Sequence, residues 1–281
     1  MTQPTQGATA LASASNIPVH VFATAEAAGV YAARETAVRL VDAHRERGVM
    51  TLGCPGGRSA RTTYAALARW AQENASDLRP LHLLMMDEYV HEAGGQWHCC
   101  PEEAHYSCLG FGEREIRRVL NDALPEARRV PRAQLHVPAP DRPADYDALI
   151  ERLGGVDVFL LASGDSDGHV AFNPRGTPLH APARVIELTD ALRRDNLGTF
   201  PQFGSLAEVP RCGVSVGTGT IQRHSRAAIL LLLGAGKGEA LRRLCALHTY
   251  DDQWPASVVL ACRDAQIVTD AAAVAAMRAL A

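Results

Sequence analysis

Residues 156 to 173 read Val156-Asp157-Val158-Phe159-Leu160-Leu161-Ala162-Ser163-Gly164-Asp165-Ser166-Asp167-Gly168-His169-Val170-Ala171-Phe172-Asn173. Val156 to Ala162 is an apolar run rich in branched and aromatic side chains, the composition of a strand buried on both faces. It stops at Ser163-Gly164, where small, turn-forming residues take over. Asp165, Asp167 and His169 therefore fall just past the carboxyl end of a central strand, the edge at which open parallel sheets bind ligands. Asp167 and His169 flank a glycine, so a tight loop can set a carboxylate beside an imidazole and tune it for acid–base work. A polar turn whose aspartate caps the next segment is the alternative, and composition alone leaves both open.

The same strand–turn–helix grammar extends in both directions. Val19 to Phe22 reads as a strand, and Thr24 opens a helical pattern to about Arg47, with Ala27, Val30, Tyr31, Ala37, Val38 and Val41 on one stripe. Val49 to Leu52 then leads into Gly53-Cys54-Pro55-Gly56-Gly57-Arg58-Ser59 and a helix carrying Tyr64, Leu67, Ala68 and Ala71 at helical spacing. A glycine-rich turn before a helix offers free backbone N–H groups and a positive dipole end to an anion. A plain turn needing glycine for its backbone angles has the same appearance. Leu81 to Met86 is a third strand, ending in Asp87-Glu88-Tyr89, where a carboxylate beside a buried strand end can be tuned into a general base or can simply cap a helix.

Between residues 91 and 112, His98, Cys99, Cys100, His105 and Cys108 are zinc-type ligand residues, but their spacing matches no common zinc knuckle. With Gly94-Gly95 just after Asp87, this stretch is expected to be a mobile lid. Further strands are expected at 184–188, 212–216, 227–233, 258–262 and 267–269. A helix follows Gly234-Ala235-Gly236-Lys237, where a lysine can meet an anion. Continuous alternation of strand and helix predicts an α/β fold: a mainly parallel sheet covered by helices on both faces, a Rossmann-like open sheet.

The 281 residues are 47% apolar and 21% charged, ordinary composition for a large globular core. A formal net charge of -3 without a basic run argues against a nucleic-acid partner. No apolar stretch is long enough to span a membrane. Seven scattered cysteines suit reduced thiols, and the Ala/Ser/Thr-rich start has no signal-peptide pattern, so a cytoplasmic location is expected.

Taken together and in order, these sites resemble the glucosamine-6-phosphate deaminase/isomerase family, whose wider superfamily includes the 6-phosphogluconolactonases. The matching stretches are Pro55-Gly56-Gly57 with Thr62-Thr63-Tyr64, Met86-Asp87-Glu88-Tyr89-Val90, and Asp167-Gly168-His169-Val170-Ala171-Phe172-Asn173. Val209-Pro210, Val214 to Thr220, Gly234 to Lys237 and Pro255-Ala256-Ser257 complete them. The Ala-, Ser-, Thr- and Gln-rich composition at 1–16 is expected to form a disordered tail, and the resemblance implies one domain over residues 17–281. It implies that Asp87 moves a proton between C2 and C1 of an open-chain amino-sugar 6-phosphate. His169, held by Asp167, would open the ring, and Gly56, Gly57, Arg58, Ser59 and Lys237 would hold the phosphate. It implies no metal or organic cofactor, and it leaves a homo-oligomer open. Two positions depart from the family pattern: Pro174 stands where a glutamate completes the histidine's set, and Gly198 where an arginine binds phosphate. Arg58 is the candidate replacement for that guanidinium. Lactone hydrolysis with His169 activating water, and a non-catalytic sugar-phosphate sensor, are the competing readings.

Overall fold

Side chains alternate along the central strands. In the computed structural model, which describes residues 9–15, 17–122 and 124–280, Val158 and Leu160 point to one face of the sheet and Phe159 and Leu161 to the other. Ile229 and Leu231 likewise oppose Ala228, Leu230 and Leu232. A strand apolar at every position must be covered on both sides, and helices cover it.

The strands are β1 (Thr9–Ala10), β2 (Val19–Phe22), β3 (Met50–Cys54), β4 (Leu81–Met85), β5 (Asp87–Ala93), β6 (Gln96–Cys99), β7 (Leu135–His136), β8 (Val158–Ala162), β9 (Arg184–Glu187), β10 (Cys212–Ser215), β11 (Ala228–Leu232) and β12 (Ala265–Asp270). The helices are α1 (Ala25–Arg47), α2 (Arg61–Glu73), α3 (Cys108–Phe111), α4 (Arg118–Asp122), α5 (Ala144–Arg152), α6 (Asp190–Thr199), α7 (Thr218–His224), α8 (Gly238–Ala246) and α9 (Ala271–Arg278), with a π-helical turn, Gly112–Arg117, joining α3 to α4. The main sheet runs β1-β2-β12-β11-β8-β3-β4-β7, parallel throughout except for β1. The α1, α2 and α4 layer lies on one face, and α5, α7, α8 and α9 on the other. From β3 the chain winds outward through β4, whereas from β8 it winds the opposite way through β11. The loops after β3 and β8 therefore part, opening a crevice at the carboxyl edge.

The structure departs from the sequence expectations in five places. A second, antiparallel sheet of order β6-β5-β10-β9 takes the strands at 184–187 and 212–215. The first part of the stretch expected as a lid belongs to a hydrogen-bonded hairpin of that sheet, residues 87–99, turning at Gly94-Gly95. Residues 258–262 are not a strand: Pro255–Ala261 is a 3-10 helix with proline in its first turn, and its apolar run is buried against α7 and β11. The buried stripe of α1 is Ala28, Ala32, Ala33, Ala37 and Leu40, whereas Val30 and Val38 face solvent. Small residues are needed there because α1 and α2 pack closely: a Cβ at Gly29 would lie 2.5 Å from Thr62 Oγ1. Finally, β1 pairs with β2 and Ala14 N–H donates to Cys245 O, so residues 9–15 of the expected disordered tail are seated on the sheet edge, whose open backbone groups recruit them. The rest of that stretch, 1–8 and 16, lies outside the described residues.

Candidate active site

The crevice is a cleft of about 450 Å³. Of the sequence candidates, Gly56, Gly57, Arg58, Ser59, Asp87, His169 and Lys237 line it, and Asp167 stands behind His169.

Asp87 opens β5, with only Met86 between it and the end of β4, so it sits where the two sheets meet. Val216 N–H donates to Met86 O and Ser215 pairs across from Asp87. Its carboxyl is buried, and Cys108 Sγ–H donates to Oδ1 at 3.2 Å. Burial pushes its pKa up to about 6, and the neighbouring Glu88 charge adds to this. The Cys108 hydrogen bond and the charge of His169 oppose it. A carboxylate tuned towards neutrality suits proton abstraction and return.

Glu88 faces the other way and has a different task. It accepts from the N–H groups of Tyr89, Cys108 and Leu109, from Ser107 Oγ–H and from Cys100 Sγ–H. It thereby anchors the first turn of α3 to β5. Cys100 and Cys108 are spent on these two carboxylates, His98 lies out on β6, and His105 packs against Phe203 at 4.5 Å, so the His98–Cys108 residues do not converge.

The loop after β8 closes when Gly164 N–H donates to His169 O. Gly168 takes φ +68°, and a Cβ there would sit 2.2 Å from the Trp254 ring, so only glycine fits between Asp167 and His169. Asp167 Oδ1 lies 2.7 Å from His169 Nδ1 and accepts the His169 backbone N–H at 3.1 Å. Burial alone would raise the Asp167 pKa, but the hydrogen bond and charge of His169, with Arg175 behind, hold it below the usual carboxylate range. An ionised Asp167 draws the ring proton to Nδ1 and leaves Nε2 for the cleft. Pro174 does not line the cleft, and its carbonyl caps a turn by accepting from Thr177.

Sequence reasoning missed Asp195. It comes from α6, lines the cleft, and places Oδ2 3.9 Å from His169 Nδ1 while accepting from Asp165 N–H and Ser166 Oγ–H. In Arg193-Arg194-Asp195-Asn196 it looks like one more solvated charge on a helix. Among the described residues, Asp167, His169 and Asp195 form the one group of three ligand-type side chains whose ligand atoms lie within 4.8 Å of one another.

At the far wall, Gly57 and Ser59 lie in the turn leading to α2, whose N-terminus has no side-chain cap. Arg58 Nη2 lies 3.9 Å from where a Cβ would stand at Gly198. Arg58 therefore lies beside Gly198. Opposite, Lys237 Nζ donates to Ser163 O at 2.6 Å and is ion-paired with Asp165. Tyr89, Phe172 and Phe200 make an aromatic wall.

At the carboxyl edge of the open parallel sheet, a buried carboxylate and an Asp–His pair thus face one cleft, an arrangement chemically able to move protons. No protein-family model matches the sequence. The chain is 30% identical over 216 residues to the glucosamine-6-phosphate deaminase of Shouchella clausii (strain KSM-K16), covering 75% of this chain and 78% of that protein. It matches the structure of a monomeric glucosamine-6-phosphate deaminase with a TM-score of 0.74 and 27% identity, over 92% of this chain and 99% of the other. The 6-phosphogluconolactonase of Trypanosoma cruzi shares the fold at a TM-score of 0.66 and 16% identity, over 94% and 98% of the two chains. The chain belongs to the glucosamine-6-phosphate deaminase family. Among the described residues, no helix is long and apolar enough to cross a membrane.

Proposed function

We propose that the chain isomerises an amino-sugar 6-phosphate, with ammonia as the second product. One observation carries this reading: a buried carboxylate with its pKa near 6 and a carboxylate-held imidazole open into the same cleft. The family's named activity supports it. His169 gives a proton to the ring oxygen and takes one from the anomeric hydroxyl as the C1–O5 bond breaks, leaving the open-chain aldehyde. Asp87 removes the C2 proton, and the electron pair passes through an enediol-type intermediate to the C1 oxygen. The same carboxyl then returns a proton to C1 as the nitrogen lone pair forms the C2=N bond, and a proton passes from that nitrogen to the C1 oxygen, leaving a C1 hydroxyl and a C2 imine. Water adds to C2, the C–N bond breaks, and ammonia departs from the ketose phosphate. The Gly56–Ser59 turn, Arg58 and Lys237 hold the phosphate.

The test is proton exchange in heavy water followed by NMR, with glucosamine 6-phosphate, glucose 6-phosphate and 6-phosphogluconolactone offered in turn. Deuterium at C1 or C2, abolished in Asp87→Asn, with ammonia released from the amino sugar, is the expected result. Lactone opening without exchange, lost in His169→Ala, would replace this reading with the hydrolase. Arg58→Ala is expected to raise KM for the phosphorylated substrate about tenfold or more. An unchanged KM would remove Arg58 from the anion site.

A further inference from the structure

The anion-binding end of the cleft already holds an anion. Lys237 is largely buried, and its ammonium is ion-paired with the Asp165 carboxylate while donating to Ser163 O. The Asp165 backbone is anchored, while its side chain reaches across to the Lys237 turn. Its backbone N–H donates to Asp195 Oδ2 at 3.1 Å, and its other carboxylate oxygen would lie 3.2 Å from a Cβ at Gly236, so the carboxylate lies over the turn that carries Lys237. The charged side chains lining the cleft are therefore three carboxylates, Asp87, Asp165 and Asp195, against two permanent cations, Arg58 and Lys237, with His169 between. A cleft built to take a dianion without competition would show a cationic surplus. Here an incoming phosphate meets an ammonium already neutralised by a neighbour, and it must either displace that carboxylate or lie against it.

We propose that Asp165 is a specificity determinant of this cleft: as the internal counter-ion of Lys237, it competes with the ligand's anionic group and holds down the preference for a phosphorylated over an unphosphorylated amino sugar. The proposal rests on the reading of Lys237 as an anion-binding residue. On a phosphorylated ligand, the Lys237–Asp165 pair exchanges for a Lys237–phosphate pair, and Asp165, whose side chain is partly open to solvent, turns outward. On an unphosphorylated ligand the pair stays closed, and the far end of the cleft is close to neutral towards a hydroxyl.

The experiment compares the whole protein with Asp165→Ala and Asp165→Asn. Calorimetric affinities for glucosamine 6-phosphate, glucosamine and inorganic phosphate are measured at two salt concentrations. Removing a like charge beside the phosphate is expected to tighten glucosamine 6-phosphate and inorganic phosphate about tenfold in both variants, more at low salt, and to change glucosamine less than about twofold. The gain is expected to shrink when Lys237→Ala is added, leaving only the direct like-charge part. A purely structural Asp165 would give weaker binding of all three ligands, never a gain confined to the phosphorylated ones, so unchanged or weakened phosphate affinity in a folded variant overturns the proposal. If the wild-type protein catalyses proton exchange on the phosphorylated sugar and the variants show no gain, the specificity role falls and the proposed function stands. If inorganic phosphate tightens in the variants while no sugar exchanges a proton, the reverse holds.

Discussion

Asp87 has no arginine or lysine ion-pair partner among the described residues, and this shapes both its chemistry and its effect on stability. Only the ionised carboxyl abstracts a proton, so kcat/KM for proton exchange is expected to fall about tenfold per pH unit below about 6 and to level off above it. A profile flat to pH 5 would mean another group is the base. Its raised pKa also means that the fold favours the protonated form. That stability is fully present below about 3.8, the ordinary value, and is lost as pH rises through about 6. Asp87→Asn removes the charge, so it should raise stability on the order of 3 kcal/mol at pH 8 and make little difference at pH 4, while abolishing exchange. Thermal melts at the two pH values check this, and equal melting temperatures at pH 8 would count against a strained carboxylate. Residue identity was legible here, since Met86-Asp87-Glu88-Tyr89 marks the site in the sequence. The division of labour was not, because adjacent carboxylates look alike until the strand sends them to opposite sides.

At the scale of elements, Glu88 fastens β5 to α3, and with it the thiol that hydrogen-bonds Asp87. Five donors converge on this buried carboxylate. Glu88→Gln replaces acceptor capacity with a donor and is expected to cost about 3 kcal/mol or more in urea unfolding, with activity lost in proportion to unfolding. If Glu88→Gln is as stable as wild type but inactive, Glu88 belongs to the chemistry instead. Long elements with a strong pattern, such as β8, β11 and α2, could be read directly. The second sheet could not. Residues 184–187 and 212–215 are short apolar runs whose composition does not say which sheet they join, and that choice depends on the distant hairpin 87–99. In α1, helical spacing suggested a buried stripe through Val30 and Val38, whereas close packing on α2 demanded alanine. Asp195 and the Lys237–Asp165 pair were invisible for a related reason: each depends on a contact between elements far apart in the chain.

Over the whole molecule, the candidate site and a buried ionic anchor occupy opposite edges of the main sheet. At the amino edge, Asp157 is buried at the foot of β8. It accepts from Thr51 N–H at 2.8 Å and Thr51 Oγ1–H at 3.0 Å, and it is ion-paired with Arg47 and Arg226. The five-residue β8 separates it from the cleft by roughly 17 Å. Asp157→Asn leaves two arginines without their partner and is expected to cost about 3–5 kcal/mol of stability, with kcat/KM at 25 °C within about twofold of wild type. A large loss of kcat/KM in a protein still fully folded would show that the two edges are coupled.

Where the two sheets join, the wall around Asp87 also carries an isotopic consequence. In the proposed mechanism, a proton lifted from the sugar would rest on a carboxyl closed off by Cys108 and the strands on either side. Such a base retains a label while the intermediate turns over beneath it. A substrate deuterated at C2 and converted in ordinary water should therefore yield product with part of that deuterium at C1, delivered to the same face from which it left. Complete washout at low conversion would mean that water reaches the carboxyl within each turnover.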